Sequence, residues 1–116
     1  MFLNLQHEKL DVYKVGRSFV HAAYRLSQFL PPDERFAMTQ QLRRAALSVH
    51  LNIAEGCSRK SGAERKRFFE ISRGSLVEID ALLDAAFDLN YVTKDQMNEA
   101  GPLLVRCYQM LSRMID

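Results

Sequence analysis

Between Gln41 and Ser75 the chain carries Arg43, Arg44, Arg59, Lys60, Arg65, Lys66, Arg67 and Arg73 against Glu55, Glu64 and Glu70, a local net charge of +5. Cationic groups at this density bind polyanions by releasing condensed counterions, which makes affinity steeply salt-dependent and indifferent to base sequence. The run from Arg59 to Arg67 straddles Ser61-Gly62-Ala63-Glu64, a capping-box pattern that opens a helix. The free N–H groups of a helix start attract phosphate as well. Aromatic residues for base stacking are confined here to Phe68 and Phe69, and the helical spacing puts Phe68 in the core. The cluster therefore predicts recognition of a nucleic-acid backbone, not of bases. The competing reading is a solvated charged face with no ligand.

Other chemistries lack residues. His7, His21 and His50 fall on different elements with no metal spacing, and Cys57 and Cys107 form no CxxC. No Glu-x-x-His pair offers a di-iron bundle site. There is no Walker loop, GxSxG or dinucleotide fingerprint. Cys57 and His50 lie two turns apart and could meet as a dyad, but both types are ordinary packing or surface residues. The sequence predicts a non-enzymatic protein without cofactor or metal, its cysteines packed as small apolar groups in a reducing cytoplasm. The start, MFLNLQHEKL, lacks a basic segment followed by a long apolar run, so no signal peptide is expected. No apolar stretch has the length of a membrane span.

The charge is unevenly spread. Residues 1–75 carry 13 Lys/Arg and 7 Asp/Glu, whereas residues 76–116 carry 3 and 7, which gives net charges of +6 and −4. An anionic partner at one end, subunits meeting basic end to acidic end, or a merely uneven surface would each produce this pattern.

These residues sit on helices. A chain of 116 residues with five glycines, three prolines and no alternating strand pattern suits one domain, 1–116, of long helices. The first helix is predicted from Leu10 or Asp11 to about Phe29, with Tyr13, Gly16, Phe19, Val20, Ala23, Tyr24 and Ser27 at core spacing. Gly16 suits a close approach of a neighbouring helix. Leu30-Pro31-Pro32 stops it. A second helix is predicted from about Asp33 to Ser58, with Met38, Leu42, Ala45, Ala46, Val49, Ile53 and Gly56 inward. Phe36, Leu47, Leu51 and Ala54 form a nearly opposite apolar face. That face is either a subunit contact or scattered exposed apolar residues. Between the two faces runs a polar rail of Gln41, Arg44, Ser48, Asn52 and Glu55. It reads as a hydrogen-bonded seam that fixes register or as the lining of a pocket.

The third helix is predicted from the Ser61 cap to about Asn90, its core stripe being Phe68, Ser72, Ser75, Leu76, Ile79, Leu82, Leu83 and Ala86. Asp80, Asp84 and Asp88 near its end oppose the helix dipole. Thr93-Lys94-Asp95-Gln96 is a second capping box, and a fourth helix is expected from there, with Met97, Ala100, Leu103, Leu104, Cys107, Met110, Leu111 and Met114 inward. Gly101-Pro102 would kink that helix or move its start later. Four helices with short connections predict an all-α, antiparallel up-down-up-down four-helix bundle.

Laid out in this way, LDVYK (Leu10–Lys14), QLRRAALSVHLNIAEGCSR (Gln41–Arg59) and RFFEISRGSLVEIDALL (Arg67–Leu83) resemble the small bacterial four-helix-bundle proteins encoded in intervening sequences of large-subunit ribosomal RNA genes. Arg43, Arg44, Asn52, Glu55, Gly56, Arg59, Gly74, Ser75 and Glu78 match that family's signature; His50 and Cys57 depart mildly from it. The resemblance implies the bundle fold and no agreed catalytic residues. The accessory variability determinant protein of diversity-generating retroelements is similar, and by that analogy a homo-oligomer, a pentamer, with RNA or DNA and a reverse transcriptase as partners is expected.

Overall fold

A computed structural model describes residues 1–116, the side chain of Lys9 excepted. Four α-helices form: α1 Asp11–Ser27, α2 Met38–Ser58, α3 Gly62–Asp88 and α4 Ala100–Ile115. Each packs against two neighbours in the order α1, α2, α3, α4 and back to α1, with α2 and α3 the most intimate pair. Their seam is antiparallel: as α2 advances from Gln41 to Ser48, its partner on α3 recedes from Glu78 to Ser75. The expected all-α four-helix bundle is the observed architecture. Among the described residues no helix is long and apolar enough to cross a membrane.

The core is built from the inward stripes of all four helices, with Phe19, Leu42, Ile53, Leu76, Ile79, Cys107 and Leu111 fully buried. Two glycines set how closely helices approach. A Cβ on Gly16 of α1 would lie 2.9 Å from Ile53 Cδ1, so the close approach expected there is real. A Cβ on Gly56 of α2 would lie 2.7 Å from the Phe69 ring. That contact corrects the stripe read for α3. Phe69 is 2% exposed, whereas Phe68 is half-buried at the surface. Neighbouring positions on a helix differ by about 100°, and Phe69, not Phe68, faces the gap opposite Gly56. The stripe of α1 is also wider than expected. Val12, Val15, Ala22 and Leu26 are buried, while Tyr13, Val20 and Tyr24 sit half-buried at its edge.

Helix ends follow local chemistry. Ser61 Oγ accepts the Glu64 N–H at 3.0 Å and caps α3. At the other end of α3, Asn90 adopts φ 62°, Tyr91 N–H donates to Ala86 O and Asn90 N–H to Phe87 O. This is a Schellman motif with asparagine in the left-handed position. Two expected starts are displaced. The Pro32-Asp33-Glu34 turn is a separate 3₁₀ turn, and Ala37 (φ −121°, ψ −95°) breaks the chain before α2 begins at Met38. Phe36, expected on the second face of α2, therefore lies outside the helix and is 79% exposed. The Thr93 capping box does form, through Thr93 N–H to Gln96 Oε1 and Gln96 N–H to Thr93 Oγ1. It opens turns only. Pro102 cannot donate to Asn98 O and its ring crowds that carbonyl, so regular helix starts at Ala100, the later start that Gly101-Pro102 suggested.

Tyr13 and His50 meet as tilted rings where α1 meets α2, centroids 4.8 Å apart and planes at 52°, and His50 Nδ1 is buried without a hydrogen-bond partner among the described residues. Burial first, then the nearby charges of Arg17, His21 and His7, hold the His50 pKa below 6.5. The folded chain thus resists a proton that the unfolded chain accepts. Stability is full above about pH 6.5 and falls as pH drops toward the lowered folded value. Urea midpoints measured across that window should fall in the wild type and fall less in His50→Gln. Equal acid sensitivity in both would remove His50 as the cause.

Candidate nucleic-acid interface

The turn between α2 and α3 brings five of the eight candidate cations to one corner of the bundle. Arg59 follows the last residue of α2 with extended backbone (φ −80°, ψ 148°), and only Lys60 and Ser61 separate it from α3. Lys60, Lys66 and Arg67 are exposed and Arg65 is half-buried. The Arg59 guanidinium donates to Glu55 Oε2 at 3.1 Å and lies over the Phe68 ring, 4.9 Å from its centroid. With both partners of that ion pair about half exposed, its Coulomb energy is largely screened and contributes about 0–1 kcal/mol.

The remaining three cations lie elsewhere. Arg43 Nε donates to Ser27 Oγ at 2.9 Å and its guanidinium lies over Tyr24, so it ties α2 to α1. Arg44 is exposed beside Arg35 and Phe36, about 22 Å along α2 from Arg59 at 1.5 Å per residue. Arg73 donates to Ser112 Oγ at 3.2 Å, approaches Asp116 at 3.6 Å and faces Tyr108, so it ties α3 to α4. Spacing along the chain grouped these eight residues. The fold divides them into one open corner, two inter-helix ties and one isolated side chain.

Several signature residues lie at the α2–α3 seam, where Ser75 and Glu78 bond across to α2 and Asn52 braces Ser48 from within α2. Asn52 Nδ2 donates to Ser48 O at 2.8 Å, Ser75 Oγ donates to Ser48 Oγ at 2.9 Å, and Gln41 Nε2 donates to Glu78 Oε1 at 2.8 Å. Ser72 Oγ, fully buried, donates across the seam to Val49 O at 2.8 Å. The rail thus crosses to α3 at Gln41 and Ser48, with Asn52 bracing Ser48, and serves as a register-fixing seam there. The pocket reading finds less: Asn52 is spent in the seam, while Glu55 borders an open cleft under the N-terminal segment with Leu51 and Ala54. Gly74, like Arg44, takes no part in the seam. It is exposed, and a Cβ there would meet nothing within 4 Å.

Among the described residues no group of three His, Cys, Asp or Glu side chains is placed to hold a metal. Burial pushes the Cys107 thiol up to about 12 and raises that of Cys57, so neither is a thiolate at neutral pH. Sequence reading missed Phe68 as the platform under Arg59. The Glu55–Arg59 spacing of four was the available signal for their pair.

The family model described as 23S rRNA-intervening sequence protein matches residues 8–113. The chain belongs to that family. The match spans all four helices, the seam and the basic corner. No curated protein matches the chain.

Proposed function

We infer that this member of the 23S rRNA-intervening sequence protein family is a non-enzymatic, self-associating bundle that binds the phosphate backbone of RNA or DNA through its α2–α3 corner. One observation carries the reading. Arg59, Lys60, Arg65, Lys66 and Arg67 converge on a single turn, and Glu55 alone forms an ion pair with any of them among the described residues. The free N–H groups at the start of α3 point into the same corner and add partial positive charge. A surface of this kind holds several phosphates at once, and each contact is individually weak.

A second reading, an assembly or adaptor module without a nucleic-acid role, is favoured by a different observation. Leu51 and Val77 are 56% and 55% exposed, and Gly74 leaves open space on the same side of α3. In that case copies join through these faces, the basic corner meets the Asp80, Asp84 and Asp88 side of another copy, and the pentameric ring implied by the resemblance is one closed form. Titrating the purified protein with labelled RNA and DNA at two salt concentrations, with mass by light scattering on the same samples, separates the two. Salt-sensitive binding supports the first reading. Salt-sensitive dissociation of an oligomer that binds neither polymer supports the second and removes the first.

A further inference from the structure

The corner holds more than charge. The Arg59 guanidinium lies over the Phe68 ring, 4.9 Å from its centroid, and donates to Glu55 Oε2 at 3.1 Å. The side chain is still 43% exposed. Phe68 is free for this because Phe69, wedged against Gly56, takes the core position. Lys60 and Arg67, next in the chain to Arg59 and Phe68, are exposed cations. A guanidinium held over an aromatic ring can stack with another flat π system, and the neighbouring cations suit the phosphates of the same strand. A base within a duplex has both faces covered by its neighbours. An unpaired base offers one.

The geometry points to single-stranded RNA or DNA as the ligand of this corner, with an unpaired base stacked on Arg59 and Phe68 as its support. This rests on the nucleic-acid reading above and narrows it from any phosphate backbone to strands with unstacked bases. Arg59 contacts the base. Phe68 is a positioning residue, and Glu55 both orients the guanidinium and competes for it.

The test is fluorescence anisotropy with one labelled mixed-sequence oligonucleotide, as a single strand and annealed to its complement, against wild type, Arg59→Lys and Phe68→Leu. Arg59→Lys keeps the charge and removes the plane. Phe68→Leu keeps an apolar residue of similar bulk and removes the ring, with circular dichroism confirming unchanged helicity. The expected result is roughly tenfold weaker single-strand binding in both variants, with duplex binding changed less than about twofold, in line with the energy of one stacked base. If Arg59→Lys binds both forms as wild type does, the stacked base is excluded and the phosphate reading stands. If the two forms weaken equally, the stacked base is likewise excluded. If wild type binds neither form at low salt, both readings fall.

Discussion

Reversing three charges at the corner, as Arg59→Glu, Lys60→Glu and Lys66→Glu together, is expected to abolish nucleic-acid binding and leave helical content unchanged. Each neutralised phosphate contributes about −0.7 to the log–log salt slope for a single strand and about −0.9 for a duplex. Five contacts give slopes of roughly −3.5 and −4.5, so wild-type affinity should drop about a hundredfold or more between about 50 and 200 mM salt. The triple reversal removes three of those contacts and sets three repulsions in their place. The folding cost is small. Lys60 and Lys66 are exposed with no ion pair among the described residues, and the Arg59–Glu55 pair is screened. Circular dichroism and thermal unfolding verify the fold, and filter binding or anisotropy reads the loss. A triple variant that binds as wild type does would place the interface elsewhere.

The two signature glycines on α2 and α3 should respond to alanine with opposite signs. At Gly56 the new methyl would lie 2.7 and 2.9 Å from two Phe69 ring carbons and 3.2 Å from Arg65 O, with backbone on one side and a packed ring on the other. Overpacking of that kind costs about 1–3 kcal/mol, offset by up to ~1 kcal/mol from replacing glycine within a helix. A net loss of about 1–2 kcal/mol is expected. Gly74→Ala meets open space and should gain about 0.5–1 kcal/mol from helix propensity alone. Urea unfolding of both variants decides, and adding Phe69→Leu should recover part of the Gly56→Ala loss. Equal destabilisation by the two alanines would mean that Gly74 is not open. If Gly74 lies where copies meet, its alanine variant should unfold at higher urea and yet assemble less readily, which light scattering would record.

The bundle was legible because its punctuation is local. Pro31-Pro32, the Ser61 cap and the Thr93 box each act within a few residues, and the 3–4 spacing of Leu42, Val49 and Ile53 admits one inward face. What the sequence concealed was decided across helices. Phe68 and Phe69 are equivalent aromatic neighbours until Gly56 on α2 opens a gap for one of them. Arg43 and Arg73 have the same charge as Lys60 and Lys66, but Ser27 with Tyr24 and Ser112 with Tyr108 engage them from other helices. No reading of local density separates a cation that ties two helices from one that faces solvent. Phe36 was misplaced for a related reason. Continuity between the Pro32 turn and α2 looked natural in sequence, and the backbone at Ala37 breaks it.

The long helix α3 begins among Arg65, Lys66 and Arg67 and ends among Asp80, Asp84 and Asp88, the reverse of what its peptide dipole favours. Salt should screen those misplaced charges and steady the unliganded fold, while on the proposed function the same salt would strip a polyanion from the corner. On that reading folding and binding would pull in opposite directions as ionic strength changes. A phosphate chain seated at the start of α3 would add, from outside, negative charge where Glu64 alone stands against Arg65, Lys66 and Arg67.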